Sequence, residues 1–357
     1  MKYKKVIIYF FSGTGNAKNV AFWIADEFKN SQIAVEIFDI SKIDKNNISV
    51  PEEDSLIGFC SPTHGFHFPE IMRNFIHNFP KVNHCGAFIV NTRGGLRIGR
   101  IFTPGLSGLV HYWSSLRLIL KGFKIIGLLP VDLPSNWLFL HPSVRKKGVF
   151  LIYQHAEPKV RKFANKIIAG KRVYRALYDI IQDSIAAFIS IGYILIGQYF
   201  LAKSFISTTA CDDCGLCEKN CPVSAIKKVN NRMFWTYKCE SCMKCMNECP
   251  QKAIEIAHGF VILVGIITSI VLGFAINQLL SIHAFEDWQW LENKTIRFTF
   301  WSILSIPILF FSYRITHSLM KYKFFEFLVK YTSFSKYKFW GRYKPKSSII
   351  SKAETPA

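Results

Sequence analysis

The stretch that decides the organisation of this chain runs from Cys211 to Pro250 and reads CDDCGLCEKNCPVSAIKKVNNRMFWTYKCESCMKCMNECP. The spacing C-x2-C-x2-C-x3-C-P occurs in it twice. The cysteines of the two runs are Cys211, Cys214, Cys217 and Cys221, then Cys239, Cys242, Cys245 and Cys249. This spacing is the thiolate signature of bacterial proteins with two iron–sulfur clusters.

Three thiolates spaced two residues apart on a tight loop can bind three irons of one cluster. The fourth thiolate, followed by a proline, points to the other cluster. We therefore assign the ligands in crossed sets. One [4Fe–4S] cluster takes Cys211, Cys214, Cys217 and Cys249, and the other takes Cys239, Cys242, Cys245 and Cys221.

A disulfide framework or a pair of zinc sites could also use eight cysteines. Zinc sites usually take two separated pairs of ligands, which explains the doubled run poorly. Nothing at the N-terminus resembles a secretory signal, so disulfides are disfavoured and a reducing, cytosolic environment is expected. The two further cysteines, Cys60 and Cys85, lie beside apolar runs and are expected to be small buried hydrophobes.

Composition favours a membrane protein with a charged surface. Of 357 residues 50% are hydrophobic, and the formal net charge is +21. Nucleic acid, anionic lipid or acidic proteins could each attract such a charge.

The N-terminal part begins with an apolar run, Lys4–Phe11, typical of a buried parallel strand. The loop Ser12–Ala17 and a helical pattern over Lys18–Lys29 follow. A helix N-terminus after a short Ser/Thr/Gly loop binds a phosphate through backbone N–H groups and the helix dipole. The loop is neither a Walker loop nor the G-x-G-x-x-G fingerprint.

Strands and helices then alternate, which predicts a doubly wound parallel α/β sheet with its ligand beyond the carboxyl ends of the strands. Two more loops reach that edge, at 61–66 and 91–95. The predicted strands are 33–40, 54–60, 86–91 and 123–131, and the predicted helices are 70–78, 105–121 and 158–169.

The loop sequences FSGTGN, SPTHGF and NTRGG resemble the phosphate loop and the two ring loops of flavodoxins. Together with the cysteine stretch, residues 1–258 resemble the bacterial family of flavodoxin–ferredoxin fusion proteins. The resemblance implies a flavodoxin-like sheet of order 2-1-3-4-5, a small α+β two-cluster ferredoxin domain, and FMN as cofactor. The implied FMN residues are Ser12, Gly13, Thr14, Gly15, Asn16 and Ala17 around the phosphate, and Pro62, Thr63, His64, Gly65, Phe66, Asn91, Thr92, Arg93, Gly94 and Gly95 around the ring.

Two departures from flavodoxins concern the same site. Ala17 stands where flavodoxins usually carry a hydroxyl residue, and the ring loops lack the usual Trp and Tyr, leaving His64 and Phe66 as neighbours of the ring. The alternative is therefore a flavodoxin-like scaffold with an empty or altered site.

A basic lip is expected at the ring edge, where typical flavodoxins are acidic. It consists of Arg93, Arg97 and Arg100. We expect it to receive Asp212 and Asp213 of the ferredoxin part during electron transfer, the alternative being arginines that contact solvent or lipid.

The remaining segments are apolar or basic. Ser184–Leu201 is charge-free and borderline in length for a membrane span. It could be a membrane span, an interfacial helix or a strut packed between the domains. The interfacial or packed helix is favoured, because a span would place the cofactor domains on opposite sides of the membrane. Gly259–Leu280 is long enough to span, and Phe298–Tyr313 is a second run flanked by Arg297 and Arg314.

These two runs predict a transmembrane hairpin whose loop, with Trp288 and Trp290, lies outside. The basic tail then lies on the cytoplasmic side, where Trp340 and Tyr343 could rest on anionic lipid. The predicted division is 1–169 flavodoxin-like, 170–203 connecting helix, 204–258 ferredoxin, 259–316 hairpin and 317–357 basic tail.

The sequence thus predicts an electron-transfer protein of the cytoplasmic membrane that relays electrons between FMN, two [4Fe–4S] clusters and a ferredoxin- or flavoprotein-type partner. Lipid accounts for the excess charge, so no nucleic acid partner is expected. A flavin-dependent reductase of a small acceptor and a membrane redox sensor are the alternatives. No Ser/His/Asp set or carboxylate pair predicts catalytic side chains.

Overall fold

Apolar runs form the centre of a parallel sheet, as the absence of alternation predicts. The structure, a computed structural model, describes residues 3–45, 48–83, 85–280 and 293–343. Its first strands are β1 (Lys5–Phe10), β2 (Ala34–Asp39), β3 (Ser55–Pro62), β4 (Gly86–Ile98), β5 (Ile101–Thr103), β6 (Lys124–Pro134) and β7 (Val173–Tyr174). The order is β2-β1-β3-β4-β6-β7. The predicted order 2-1-3-4-5 is confirmed, with β6 as the fifth parallel strand.

Helices cover both faces of this sheet. They are α1 (Asn16–Asn30), α2 (Glu70–Asn78), α3 (Val110–Ile119) and α4 (Lys146–Ile168). The first and last pack on one face, and the middle two pack on the other. The prediction that the closing helix starts at Pro158 is wrong, since α4 begins twelve residues earlier and carries this proline inside. The third helix starts after Gly108, whose φ of +55° is incompatible with a helix running on from Gly105.

The predicted ring loop at 91–95 is instead part of strand β4. Residues Asn91 to Gly95 continue the ladder with Pro130 to Pro134 of β6. The two glycines make this possible, because a Cβ at Gly95 would lie 2.8 Å from the Cβ of Asp132. Beyond them β4 turns back into β5. The site edge is therefore more rigid than a loop would be.

The cysteine stretch forms a small two-sheet domain. Its elements are β8 (Phe205–Ser207), α7 (Leu216–Lys219), β9 (Ile226–Val229), β10 (Arg232–Trp235), α8 (Lys244–Glu248) and β11 (Ile254–Ile256). β8 pairs with β11 and β9 with β10, both antiparallel. Phe205, Met233 and Trp235 form the centre of its core, which matches the predicted α+β ferredoxin-type domain.

A hydrophobic helix joins the two domains. It comprises α5 (Ile180–Gly192), a π-helical turn and α6 (Gln198–Leu201). Its inner side is packed, because Asp183 accepts the backbone N–H groups of Ser107 and Gly108 at 3.0 and 2.9 Å. Its outer side is apolar and open: Phe188 is 80% exposed.

Two long helices follow the ferredoxin-type domain, α9 (His258–Leu280) and α10 (Lys294–Leu319). α9 leaves directly after β11, and α10 returns so that Tyr313 donates a hydrogen bond to the Phe205 carbonyl. By length and apolar composition, residues 175–197 and 258–275 could each cross a membrane, within the part of the chain described. The predicted outer loop with Trp288 and Trp290 lies outside the described residues.

The tail packs against protein, which corrects part of the lipid prediction. Its helix α11 (Lys323–Tyr331) places the buried Glu326 within 2.7 Å of the Thr209 N–H and of an Arg232 guanidinium nitrogen. Trp340 is only 9% exposed and donates from Nε1 to the Leu138 carbonyl. These tail residues therefore bind backbone groups and charged side chains of the protein at fixed positions, which a fluid lipid surface does not offer. The tail lysines beyond residue 343 lie outside the described residues.

Candidate functional site

The loop after β1 has the geometry of an anion cradle. Gly15 adopts φ +99°, and its N–H bonds to the Ser12 hydroxyl at 3.1 Å. No side chain caps the N-terminus of α1. Its free N–H groups and the helix dipole therefore face the loop, as a phosphate site requires.

Asn16 contributes to this cradle through its position and not through its side chain. The carboxamide donates to the Pro134 carbonyl at 2.9 Å and accepts from Tyr153 at 2.6 Å and from Tyr343. The resemblance placed Asn16 around the phosphate, but its side chain is engaged within the protein. It instead fixes the first turn of α1 against the end of β6 and against the tail.

The predicted ring residues on β4 are likewise held internally. Asn91 donates to Thr63 at 2.6 Å and faces His111 at 2.7 Å. Arg93 is 6% exposed and pairs with Asp132 and Asp179, both at 2.7 Å. It does not belong to a basic lip, because two carboxylates already neutralise its charge. Only Arg97 and Arg100 remain exposed, on the β4–β5 hairpin.

An aromatic residue that the sequence analysis missed comes from the segment after β6. Residues 134–137, Leu140 and His141 line the same cavity as the phosphate loop, and Trp137 is among them. The signal was available, because the segment follows the carboxyl end of the fifth parallel strand, where ligands of such sheets bind. Trp137 supplies the large ring that the two predicted ring loops lack.

These segments enclose a cavity of about 360 Å³. It is lined by the phosphate loop, residues 62–66, the end of β4, residues 134–137, Leu140 and His141. His64 is neutral at pH 7, since burial lowers its pKa to about 4, and its Nδ1 has no hydrogen-bond partner within the described ranges. An uncapped helix N-terminus, apolar lining from Phe66, Leu106 and Trp137, and an unpaired ring nitrogen fit the phosphate and the polar ring of FMN.

The two cysteine runs come together in crossed sets. Cys211, Cys214, Cys217 and Cys249 line one small cavity, which Cys245 of the other set also borders. The Cys217 sulfur interacts with those of Cys211 and Cys249, and that of Cys245 interacts with Cys239, Cys242 and Cys221. The fourth cysteine of each run thus lies with the other run.

The donor set suits cubane clusters. All eight are free thiols, and among the described residues no three ligand side chains converge on a point that would hold a single ion. A cubane needs no such point, since each thiolate binds its own iron. Burial raises the pKa of Cys217 to about 11 and of Cys242 to about 12, so ligation must displace protons.

The second cysteine set touches the cavity beside the phosphate loop, which we call the FMN cavity after the cofactor that the resemblance implies. Ser241 and Cys242 are among its lining residues. A Cβ placed on Gly13 would lie 2.7 Å from both the Cβ and the carbonyl oxygen of Cys242. The phosphate loop and a predicted cluster ligand are therefore in direct backbone contact.

Glu240 fixes this contact. Its two carboxylate oxygens accept the backbone N–H groups of Glu70 and Ile71 at 3.1 and 2.7 Å, at the start of α2. A carboxylate at a helix N-terminus is favoured by the unpaired N–H groups and the dipole. The cysteine loop thus caps a helix of the flavodoxin-like domain.

The predicted docking residues of the ferredoxin-type domain, Asp212 and Asp213, are bound within that domain. Asp213 pairs with Lys228, and Asp212 accepts from Gln251 at 2.9 Å, both within their own domain. The described contact with the flavodoxin-like domain instead runs through Glu240, Ser241 and Cys242. A helix cap, a backbone contact and the buried Leu138 make the described interface, whereas the two aspartates are bound within their own domain.

Comparisons with known proteins support part of this picture. Residues 210–254 match the family described as a 4Fe-4S dicluster domain. No curated protein matches the chain.

Among solved structures, the chain is similar to a flavodoxin of Streptococcus pneumonia TIGR4, with 16% identity and a TM-score of 0.33 over 46% of this chain and 99% of that one. A short-chain flavodoxin associated with a non-canonical PDU bacterial microcompartment has 13% identity and a TM-score of 0.31, over 46% of this chain and 97% of that one. The flavodiiron protein from Giardia intestinalis has 14% identity and a TM-score of 0.32, over 46% of this chain and 36% of that one. At such scores the fold assignment rests on the strand order alone.

Trp137→Ala should weaken FMN binding. Aromatic stacking contributes about 0.5–1.5 kcal/mol beyond buried area, so the Kd should rise at least roughly 2- to 12-fold. Titration of flavin-free protein with FMN, followed by flavin fluorescence, measures the change. Trp113→Ala, on the exposed side of α3, is the matched control. An unchanged Kd for Trp137→Ala would remove this residue from the site.

Cys221→Ala should remove the cluster of the second run and spare that of the first. The reason is that the Cys221 sulfur lies with Cys239, Cys242 and Cys245. EPR spectra of the reduced variant should show one cluster signal, and iron should fall to about half, from eight atoms to four. Cys249→Ala should lose the opposite signal. Loss of the first-run cluster in Cys221→Ala would contradict the crossed sets.

Proposed function

We propose that this protein is a membrane-anchored electron relay in which an FMN site and two [4Fe–4S] sites are held in one fixed order. The observation that carries the proposal is the contact between Gly13 and Cys242 at the wall of the FMN cavity. When bound, FMN can take two electrons and release them singly, and each cluster carries one electron.

The exposure of the cysteines supports the order of sites. Cys214 is exposed, while Cys239, Cys242 and Cys245 lie deeper. The first-run site is therefore the place where an external one-electron partner docks, and the second-run site lies between it and the FMN cavity. Cys242 bridges towards FMN, and Glu240 keeps the spacing constant.

The residues do no acid–base catalysis in this proposal. A backbone N–H donor near the second set adjusts the potential, since the Ser241 N–H bonds to the Cys239 sulfur at 3.4 Å. The buried Trp235 Nε1 has no hydrogen-bond partner among the described residues. Hydrogen bonds to ligand sulfurs stabilise the more negative, reduced state.

Exposed apolar surface supports the membrane anchor. α9 carries no charge, and Ile262, Ile266, Ile270 and Phe274 are between 53% and 66% exposed. Soluble proteins rarely expose such a continuous apolar stripe. Lipid would cover it, with both cofactor domains on the cytoplasmic side of the cytoplasmic membrane, next to the basic tail.

Gly13→Ala tests the relay. The added methyl group must displace Cys242, so electron transfer between FMN and the clusters should slow while iron content stays unchanged. The experiment purifies the protein anaerobically in detergent, photoreduces the flavin and follows bleaching of cluster absorbance. Gly192→Ala, where an added Cβ meets nothing within 4 Å, is the control. Equal rates in both variants, or wild-type protein without flavin, would overturn the proposal.

Cysteine labelling tests the anchor. Thr295→Cys, at the exposed start of α10, should react with a membrane-impermeant maleimide in intact cells. Lys338→Cys, on the exposed part of the tail, should react only after the cells are permeabilised. The reverse pattern would place the ferredoxin-type domain outside and contradict the anchor.

A further inference from the structure

A buried cation lies where the connecting helix meets the ferredoxin-type domain. Lys203 is 3% exposed, and its Nζ donates to the Trp235 carbonyl oxygen at 2.7 Å. The rings of Phe234, Phe310 and Tyr313 surround the ammonium group at 5.1, 5.5 and 5.0 Å. An ammonium group has three N–H donors, and one carbonyl uses a single one of them.

This ammonium group borders an apolar cavity of about 300 Å³ between α6 and α10. Lys203 is the one charged residue among those that line it. The others are Tyr199, Tyr237, Pro307, Leu309, Phe310 and Phe311. The volume lies at the lower end of the range for small-molecule sites. Since Phe311 is 63% exposed on an apolar helix, a ligand can enter from the lipid phase.

The cavity also adjoins the second cysteine set. Tyr237, in the cavity lining, is two residues from Cys239, and the Trp235 carbonyl that accepts from Lys203 is four residues from it. Cys242, another ligand of this set, faces the FMN cavity. The same predicted cluster therefore has an FMN site on one side and a lipid-accessible cavity beside another ligand.

We propose that this cavity binds the ring of a lipid-soluble quinone, with the Lys203 ammonium donating a hydrogen bond to a quinone carbonyl oxygen. The isoprenoid tail lies along α6 and α10. A quinone has apolar bulk and carbonyl acceptors, which match an apolar wall with one cationic donor. A phospholipid headgroup would need several polar partners.

The inference rests on the proposed relay for its electrons. Reduction of one quinone to one quinol consumes two electrons, delivered singly from the Cys239 side, and two protons from cytoplasmic water. A fixed cation at the carbonyl stabilises the negative charge that develops on the oxygen before protonation.

Binding of menaquinone-2 to the cluster-loaded full chain in lipid nanodiscs tests the inference. Lys203→Met should raise its Kd at least about 10-fold, since hydrogen bonds to charged groups are the strong ones. Lys203→Arg should retain most of the affinity, and Lys227→Met, on the exposed strand β9, should bind like wild type. Phe311→Ala, which leaves Lys203 in place, should also weaken binding.

Oxidation of the reduced clusters by menaquinone-2 gives the second readout and should slow in parallel with the loss of binding. Wild-type affinity in both Lys203→Met and Phe311→Ala would overturn the inference. So would equal competition by a decyl chain without a quinone ring, which would make the cavity a site for acyl chains. Electron transfer from FMN to the clusters is measured separately, without quinone. Normal transfer with no quinone binding would mean that this site fails, and absent transfer would mean that the relay fails.

Discussion

The contact between Gly13 and Cys242 is the constraint on which the rest of the arrangement depends. Two backbones approach so closely there that no side chain fits at position 13. Because one of them carries the proposed phosphate loop and the other a proposed cluster ligand, direct backbone packing, and not flexible side chains, sets how the two proposed cofactor sites lie. Surface charge alone would leave that placement variable.

Other elements hold this contact in place from two directions. Glu240 caps α2, and Leu138, in the segment that carries Trp137, is buried in the core of the ferredoxin-type domain. The tail closes the assembly, because Tyr343 bonds both to Asn247 of that domain and to Asn16 of the phosphate loop. A tail that only rested on lipid would leave both domains less constrained.

Features set by residues close together in the sequence were the ones that could be predicted from it. The cysteine spacing and the phosphate loop are set by residues close in sequence, whereas the strand order was implied by the resemblance to flavodoxins. The continuation of β4 through Asn91–Gly95 depends on its pairing with β6, and the burial of Trp340 depends on a carbonyl two hundred positions away. Trp137 was missed for the same reason, as its role arises only when the fifth strand places it beside loops from the other strands.

The domain interface shows why charge pattern misled the docking prediction. Acidic Asp213 and basic Arg93 look complementary in the sequence, yet each forms an ion pair within its own domain, with Lys228 and Asp132 respectively. Paired charges have little left to offer a distant surface. The interface formed instead where a helix N-terminus met a carboxylate.

Crystals of the anaerobically purified, cofactor-loaded protein give the most direct measurement. Anomalous diffraction at the iron edge locates both clusters relative to FMN. The account predicts two iron peaks, with the one bound by Cys221, Cys239, Cys242 and Cys245 nearer to the flavin and next to the phosphate loop. A flavin nearer to the cluster bound by Cys214, or no flavin beside Gly13, would contradict it.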